Sequence, residues 1–144
     1  MSKSGAISFQ FHQTSFRLSH RNAIRLWLEH CVANEGFNIQ ELNFMFSTDT
    51  YVRDMNKQHL NHDYCTDILT FPYPSGQGIC GDILISIDRV RDNAKHHGSS
   101  TINETHRVMA HGALHLIGQD DTSPELQAEM RAKENSWLLK RTFI

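Results

Sequence analysis

The sequence predicts an α+β fold: one mixed four-stranded sheet packed with about five helices, with a histidine-bearing helix central and buried. Three observations carry this. Four short stretches alternate apolar and polar residues with the period of a strand, and helical-period stretches separate them. One late helix turns apolar on every side, which marks burial on every side. No repeat, low-complexity tract or linker divides the 144 residues, so residues 1–144 are expected to form a single domain around one core.

In chain order, Ala6 to Phe11 alternates as a first strand, with Ile7, Phe9 and Phe11 on one side. From Ser19 to about Glu35, Ala23, Leu26, Trp27 and Cys31 recur at helical spacing, and Gly36 supplies the stop. Glu41 to Ser47 is a second strand carrying Leu42, Phe44 and Phe46 on one side. Asp49 can cap a helix reaching about Leu60, which Asn61-His62-Asp63 would break. Asp67 to Tyr73 is a third strand, ended by Pro72, Pro74 and a Ser-Gly-Gln-Gly loop, and Gly81 to Ile87 is a fourth. Asp88 to His97 is a short helix stopped by Gly98. Thr101 and Glu104 form a capping box that opens the histidine-bearing helix. Ser123-Pro124-Glu125 starts a last helix, with proline at its first position, that runs to about Leu139.

The net charge of −2 gives no global attraction to nucleic acid, so any such binding must come from a local basic patch. Cys31, Cys65 and Cys80 are odd in number and far apart, unlike a disulfide framework or a zinc ribbon, and suggest a reducing compartment. The first residues lack the apolar run of a signal peptide, and no stretch is long and apolar enough for a membrane span. A cytoplasmic location is expected.

The chemistry concentrates in His111-Gly112-Ala113-Leu114-His115-Leu116-Ile117-Gly118-Gln119-Asp120-Asp121. Histidines four apart share one helix face and can share one metal ion. Gly118 is placed to end the helix in the left-handed conformation, letting the chain turn back and bring Asp121 to the same ion. Asp120 competes as third ligand or as a partner orienting a histidine; the spacing favours Asp121. The frame matches metzincin zinc proteases except after the first histidine, where those enzymes need a glutamate to activate water and this chain has Gly112.

The same segment closely resembles the YbeY family of bacterial endoribonucleases, which mature and police ribosomal RNA. Its signature, H-G-x-L-H-L-x-G-x-D-H, is matched at every fixed position but the last, where Asp121 replaces histidine. Upstream, Met55-Asn56-Lys57-Gln58 and Thr66-Asp67-Ile68-Leu69-Thr70-Phe71-Pro72 resemble the family's block before and within its third strand. Gly81-Asp82-Ile83-Leu84-Ile85-Ser86 resembles its fourth. The resemblance implies one zinc ion per chain on His111, His115 and Asp121, cleaving single-stranded RNA. It implies a role in maturing the 3′ end of small-subunit ribosomal RNA and in ribosome quality control, with the small subunit as partner. A carboxylate for a histidine leaves the site one charge less positive, which would make bound water less acidic and admit manganese or nickel more readily.

Aligned on the family, Leu60 falls where an arginine is usual. His59 and His62 flank it and are candidates to supply the missing cation when protonated. Asp67 is a candidate to act as a base or to orient water. Catalytic candidates are therefore His111, His115, Asp67, His59 and His62. For RNA contact, Arg89, Arg91, Lys95, His96 and His97 cluster on one short helix and Arg17, Arg21 and Arg25 on another. Phe44, Phe46, Phe71 and Trp137 read as core, while Tyr73 could stack on a base. Two alternatives stand beside the nuclease: a metal-dependent hydrolase of peptides or small molecules, opposed by Gly112, and a non-catalytic ribosome-associated zinc protein, made plausible by Leu60.

Overall fold

The alternation along the strands sorts side chains onto two sheet faces, and what covers each face decides where a site can lie. The computed structural model describes residues 6–62 and 66–144. The elements are β1 (Ile7–Phe11), α1 (Arg21–Asn34), β2 (Ile39–Ser47), α2 (Asp49–Leu60), β3 (Ile68–Pro72), β4 (Ile79–Ser86), α3 (Ile87–His96), α4 (Thr101–Ile117) and α5 (Pro124–Leu139). The expected breaker residue Asp63 and the third cysteine, Cys65, lie outside the described residues.

The sheet runs β1-β2-β4-β3. β1, β2 and β4 are parallel, and β3 joins β4 antiparallel, so the sheet is mixed as expected. A parallel pair needs a crossover rather than a hairpin, and α1 supplies the one between β1 and β2. In register, Phe9, Phe44 and Ile83 form one row across three strands, and Phe11, Phe46 and Ile85 another. Phe44, Phe46, Ile83 and Ile85 are buried beneath α1 and α4 in the main core, with Phe9 and Phe11 partly buried at its edge and Met109 and Leu114 of α4 fully buried. Each such side chain contributes about 1.5–3 kcal/mol by area removed from water.

The opposite face is only half covered. There α2 packs Val52 on Leu69 and Leu84. Beyond it a polar row crosses the sheet: Ser8 Oγ donates to Asn43, Asn43 Nδ2 donates to Asp82, and the Tyr73 hydroxyl donates to Asp82 at 2.8 Å.

Several boundaries move by one or two residues, for stated reasons. Thr48, not Asp49, caps α2, its side chain accepting from the Tyr51 N–H. Ser100, not Thr101, caps α4, accepting from the Asn103 N–H. Glu104 is therefore not in a capping box; it is buried, with His97 3.5 Å away. Strand β4 begins two residues earlier than its alternation suggests, at Ile79, and Ile87 opens α3. Arg17 lies before α1 rather than on it.

Helix α4 is central and buried, but its polar first half is buried too. Thr105 and His106 are sealed in along with Glu104. His106 lies against the rings of Trp27 and Phe143, and Nδ1 accepts from the Arg141 guanidinium at 2.8 Å. The Trp27 indole N–H donates to the Trp137 carbonyl at 2.7 Å, tying α1 to α5.

Candidate metal centre

Four residues of helical rise bring His111 and His115 onto one face at the C-terminal end of α4. Their rings meet nearly edge-on, with centroids 4.5 Å apart, and their Nε2 atoms are 3.0 Å apart. Gly118 then ends the helix at φ +112°, and the Gly118 and Gln119 N–H groups donate to the carbonyls of His115 and Leu114. A side chain at that φ would be strained, so glycine is what permits the reversal.

After the reversal two aspartates part company. Asp120 Oδ1 accepts from the Asp121 N–H at 2.7 Å and Oδ2 accepts from the Thr122 hydroxyl at 2.9 Å. Those bonds, the hydroxyl's first, hold Asp120 below the usual carboxylate range. Asp121 turns inward instead, its Oδ2 3.5 Å from His111 Nε2 and 3.4 Å from His115 Nε2. His111, His115 and Asp121 each offer one donor atom, all within 4.8 Å of one another. Tetrahedral ligands at zinc distances sit about 3.3 Å apart, so these three donors could hold such an ion with little movement. All three are partly exposed, leaving an open side.

That side opens on a cavity of about 260 Å³ between α3, α4 and α5, lined by Asp67, Asn93, Arg107, Arg131 and Glu134 among others. Asp67 is half-buried just before β3, where its carbonyl accepts from the Ser86 N–H and its carboxylate receives a weak contact from Asn93 at 3.4 Å. Burial raises the Asp67 pKa, with His111 pulling the other way.

Glu134 of α5 reaches in from beneath. Its Oε2 accepts from His111 Nδ1 at 2.6 Å, and its Oε1 accepts from Arg107 at 3.0 Å. Burial alone would lower the His111 pKa, but the bond and charge of Glu134, with Asp67 and Asp121, raise it. Burial likewise pushes Glu134 up, and its bonds to His111 and Arg107 bring it below its ordinary value. Neither Glu134 nor Arg107 was singled out by the sequence. A signal existed: Met130, Glu134, Trp137 and Leu138 form the buried stripe of α5, and a lone carboxylate on such a stripe is unusual.

The flanking histidines do not join the centre. His59 sits on the opposite sheet face, edge-on to Phe71, in the wall of a separate cavity of about 370 Å³. His62 is exposed after α2, its N–H on the Asn56 carbonyl, and does not line the metal-side cavity. Both were candidates to supply the cation that Leu60 lacks, and Leu60 ends α2, which packs on the sheet face opposite the three donors. Leu60 itself is exposed.

Gly112 also acquires a reason. A Cβ there would meet Ile68 Cδ1 at 2.8 Å and Ile83 Cδ1 at 2.9 Å. One residue past His111, the chain faces the sheet rather than the cavity, so a protease-type glutamate has no room. The arginine clusters are also partly engaged. Arg89 pairs with Asp49 and Asp92, while Arg21 and Arg25 stack on Phe11 and Phe9 of edge strand β1. Arg91 and Lys95 are exposed. Phe44, Phe46 and Trp137 are core, whereas Phe71 is only half-buried beneath α2.

The family model described as Endoribonuclease YbeY matches residues 7–141. A protein of Cytophaga hutchinsonii named Endoribonuclease YbeY is 45% identical over 142 residues, covering 98% of this chain and 99% of that protein. One of the same name from Flavobacterium johnsoniae is 41% identical over 129 residues, covering 90% and 92%. A Thermotoga maritima protein solved in solution superposes with a TM-score of 0.64 at 24% identity, covering 92% of this chain and 86% of that one, and shares the fold.

Proposed function

This chain belongs to the YbeY endoribonuclease family, and we propose that it is a single-strand-specific, metal-dependent endoribonuclease of ribosomal RNA processing. It is a hydrolase whose substrate is RNA. Residues 1–144 act as one YbeY-like hydrolase domain, maturing the 3′ end of small-subunit ribosomal RNA in the cytoplasm and serving ribosome quality control with the small subunit as partner. No helix among the described residues is long and apolar enough to cross a membrane.

The observation that supports this reading most directly is the three-donor group, His111, His115 and Asp121, at the mouth of a polar cavity. Zinc held there would supply Lewis-acid chemistry to a phosphodiester. The protein's own groups do the rest. Asp67, on the cavity wall, can orient a water or take its proton at the carboxylate. With a net charge of −2, the strand is engaged by local cations, of which Arg131 at the cavity and Arg91 and Lys95 on α3 are exposed.

The test compares metal-loaded protein on single-stranded RNA, structured RNA and casein, each with and without chelator. Cleavage of single-stranded RNA alone, abolished by chelation and restored by zinc, is the expected result. Undiminished RNA cleavage after complete chelation would remove the metal from the reading, and casein cleavage would replace the nuclease by a protease.

A further inference from the structure

The metal group is asymmetric. His111 Nδ1 lies 2.6 Å from a buried carboxylate on another helix, while among the described residues His115 Nδ1 has no such partner. We propose that Glu134 is a positioning residue for the metal centre: held by Arg107, it fixes the tautomer and orientation of His111 and ties metal affinity to the docking of α5.

The argument is geometric. Arg107 Nη1 donates to Glu134 Oε1 at 3.0 Å, and Arg107 Nη2 donates to Asn135 Oδ1 at 2.8 Å. This pair of bonds ties the early part of α4 to the late part of α5 and leaves Oε2 for His111. An Arg-paired carboxylate is an acceptor only, so the ring proton of His111 belongs on Nδ1. Nε2 is then left with its lone pair directed at the space shared with His115 Nε2 and Asp121 Oδ2, 3.0 and 3.5 Å away. Whenever the ring is neutral it is therefore held in the ligating tautomer, with or without an ion. Without Glu134, the ring could place its proton on Nε2 and turn N–H toward the ion's position, a state that must be undone before binding. Partners of this kind, hydrogen-bonded behind a ligating histidine, change metal affinity about 10–100-fold when removed.

The placement also carries a consequence for folding. Glu134 is buried on α5 between Met130 and Trp137, both of them in the core. The same carboxylate thus serves the α4–α5 interface and the ligand. Metal binding should strengthen that interface, and loosening the interface should weaken metal binding, because linkage is reciprocal.

This inference rests on the proposal that His111, His115 and Asp121 bind a metal, and the experiment separates the two. Co²⁺ is titrated into metal-free parent, Glu134→Gln, Glu134→Ala and His111→Ala proteins, reading visible absorption of the bound ion and thermal melting of each metal-free form. The expected result is Co²⁺ affinity 10–100-fold lower in Glu134→Ala, an intermediate loss in Glu134→Gln, which keeps one acceptor oxygen, and a smaller metal-induced rise in melting temperature in both. A role in packing alone would lower the metal-free melting temperature and leave Co²⁺ affinity within about twofold, overturning the proposal. A parent that binds no Co²⁺ overturns the metal centre and this inference together, whereas parent binding lost in His111→Ala but intact in Glu134→Ala overturns only the role of Glu134. Should the variants not fold, the ring nitrogen resonances of His111 in the metal-free parent decide. Read at a pH where the ring is neutral, the single proton is expected on Nδ1, and a neutral ring protonated on Nε2 contradicts the assignment.

Discussion

Asp120 and Asp121 are adjacent, identical in chemistry and opposite in use. Asp120 spends both carboxylate oxygens on the turn, accepting from the Asp121 N–H and the Thr122 hydroxyl. Asp121 is thereby rotated toward the two imidazoles. Asp121→Ala should cost more than about 100-fold in zinc affinity, beyond the range of outer partners, whereas Asp120→Ala should cost less because it only loosens the turn. Zinc competition titrations on both variants check this, and equal losses would mean that the turn, not the ligand, governs the site. At this scale the sequence was informative about the donors, because histidines at helical spacing, a reversing glycine and a following carboxylate each carry a local signal. For Glu134 the apolar stripe of α5 marks an unusual carboxylate but not its partner, because His111 is 23 residues away and on another helix.

Among the elements, α4 has to satisfy two surfaces at once. It presses on β3 and β4 along one side and presents His111 and His115 on another. Gly112 is where the helix comes closest to the sheet, with Ile68 and Ile83 filling the space a Cβ would need. Gly112→Ala removes a helix-interior glycine, which by itself would stabilise by about 1 kcal/mol. Overpacking costs about 1–3 kcal/mol, so the net effect should be a loss of about 1 kcal/mol, measured by urea unfolding. A stabilised variant would show that the isoleucines yield freely. The periodicity of α4 was legible, but the burial of Glu104, Thr105 and His106 was not. Those residues look like a solvated first turn and a half, and only the arrival of α3, the chain end and Trp27 encloses them.

For the whole molecule, His106 joins three distant parts of the chain. It rests on Trp27 of α1, on Phe143 near the chain end, and accepts from Arg141. Burial first, then the charge of Arg141, lowers its pKa from 6.5 to about 4. Below pH 6.5 the unfolded chain takes up a proton that the folded His106 refuses, so stability from this group falls as pH drops, until about pH 4. Between pH 6.5 and 5 that is about 2 kcal/mol, at about 1.4 kcal/mol per pH unit. His111, with its raised pKa, works in the opposite sense and above that range: its contribution is full below pH 6.5 and is lost as pH rises through its folded value. Comparing parent with His106→Gln isolates the His106 contribution: the parent should lose about 2 kcal/mol more on acidification from pH 7 to 5, by chemical denaturation at each pH. Parallel losses in the two proteins would place the titration elsewhere.

Local spacing was enough for the α+β class, the four strands, and the helix that carries the two histidines with an aspartate pair after it. All of these depend on spacing within a few residues, which backbone geometry converts directly into direction. The tertiary structure decided what lies behind and around the donors. It put Glu134 and Arg107 beneath His111, placed Asp67 on the cavity wall, sent His59 to the opposite face and turned Gly112 into the sheet. Those outcomes depend on which helix packs on which face of the sheet, and contacts between residues far apart in the chain leave no local pattern to read.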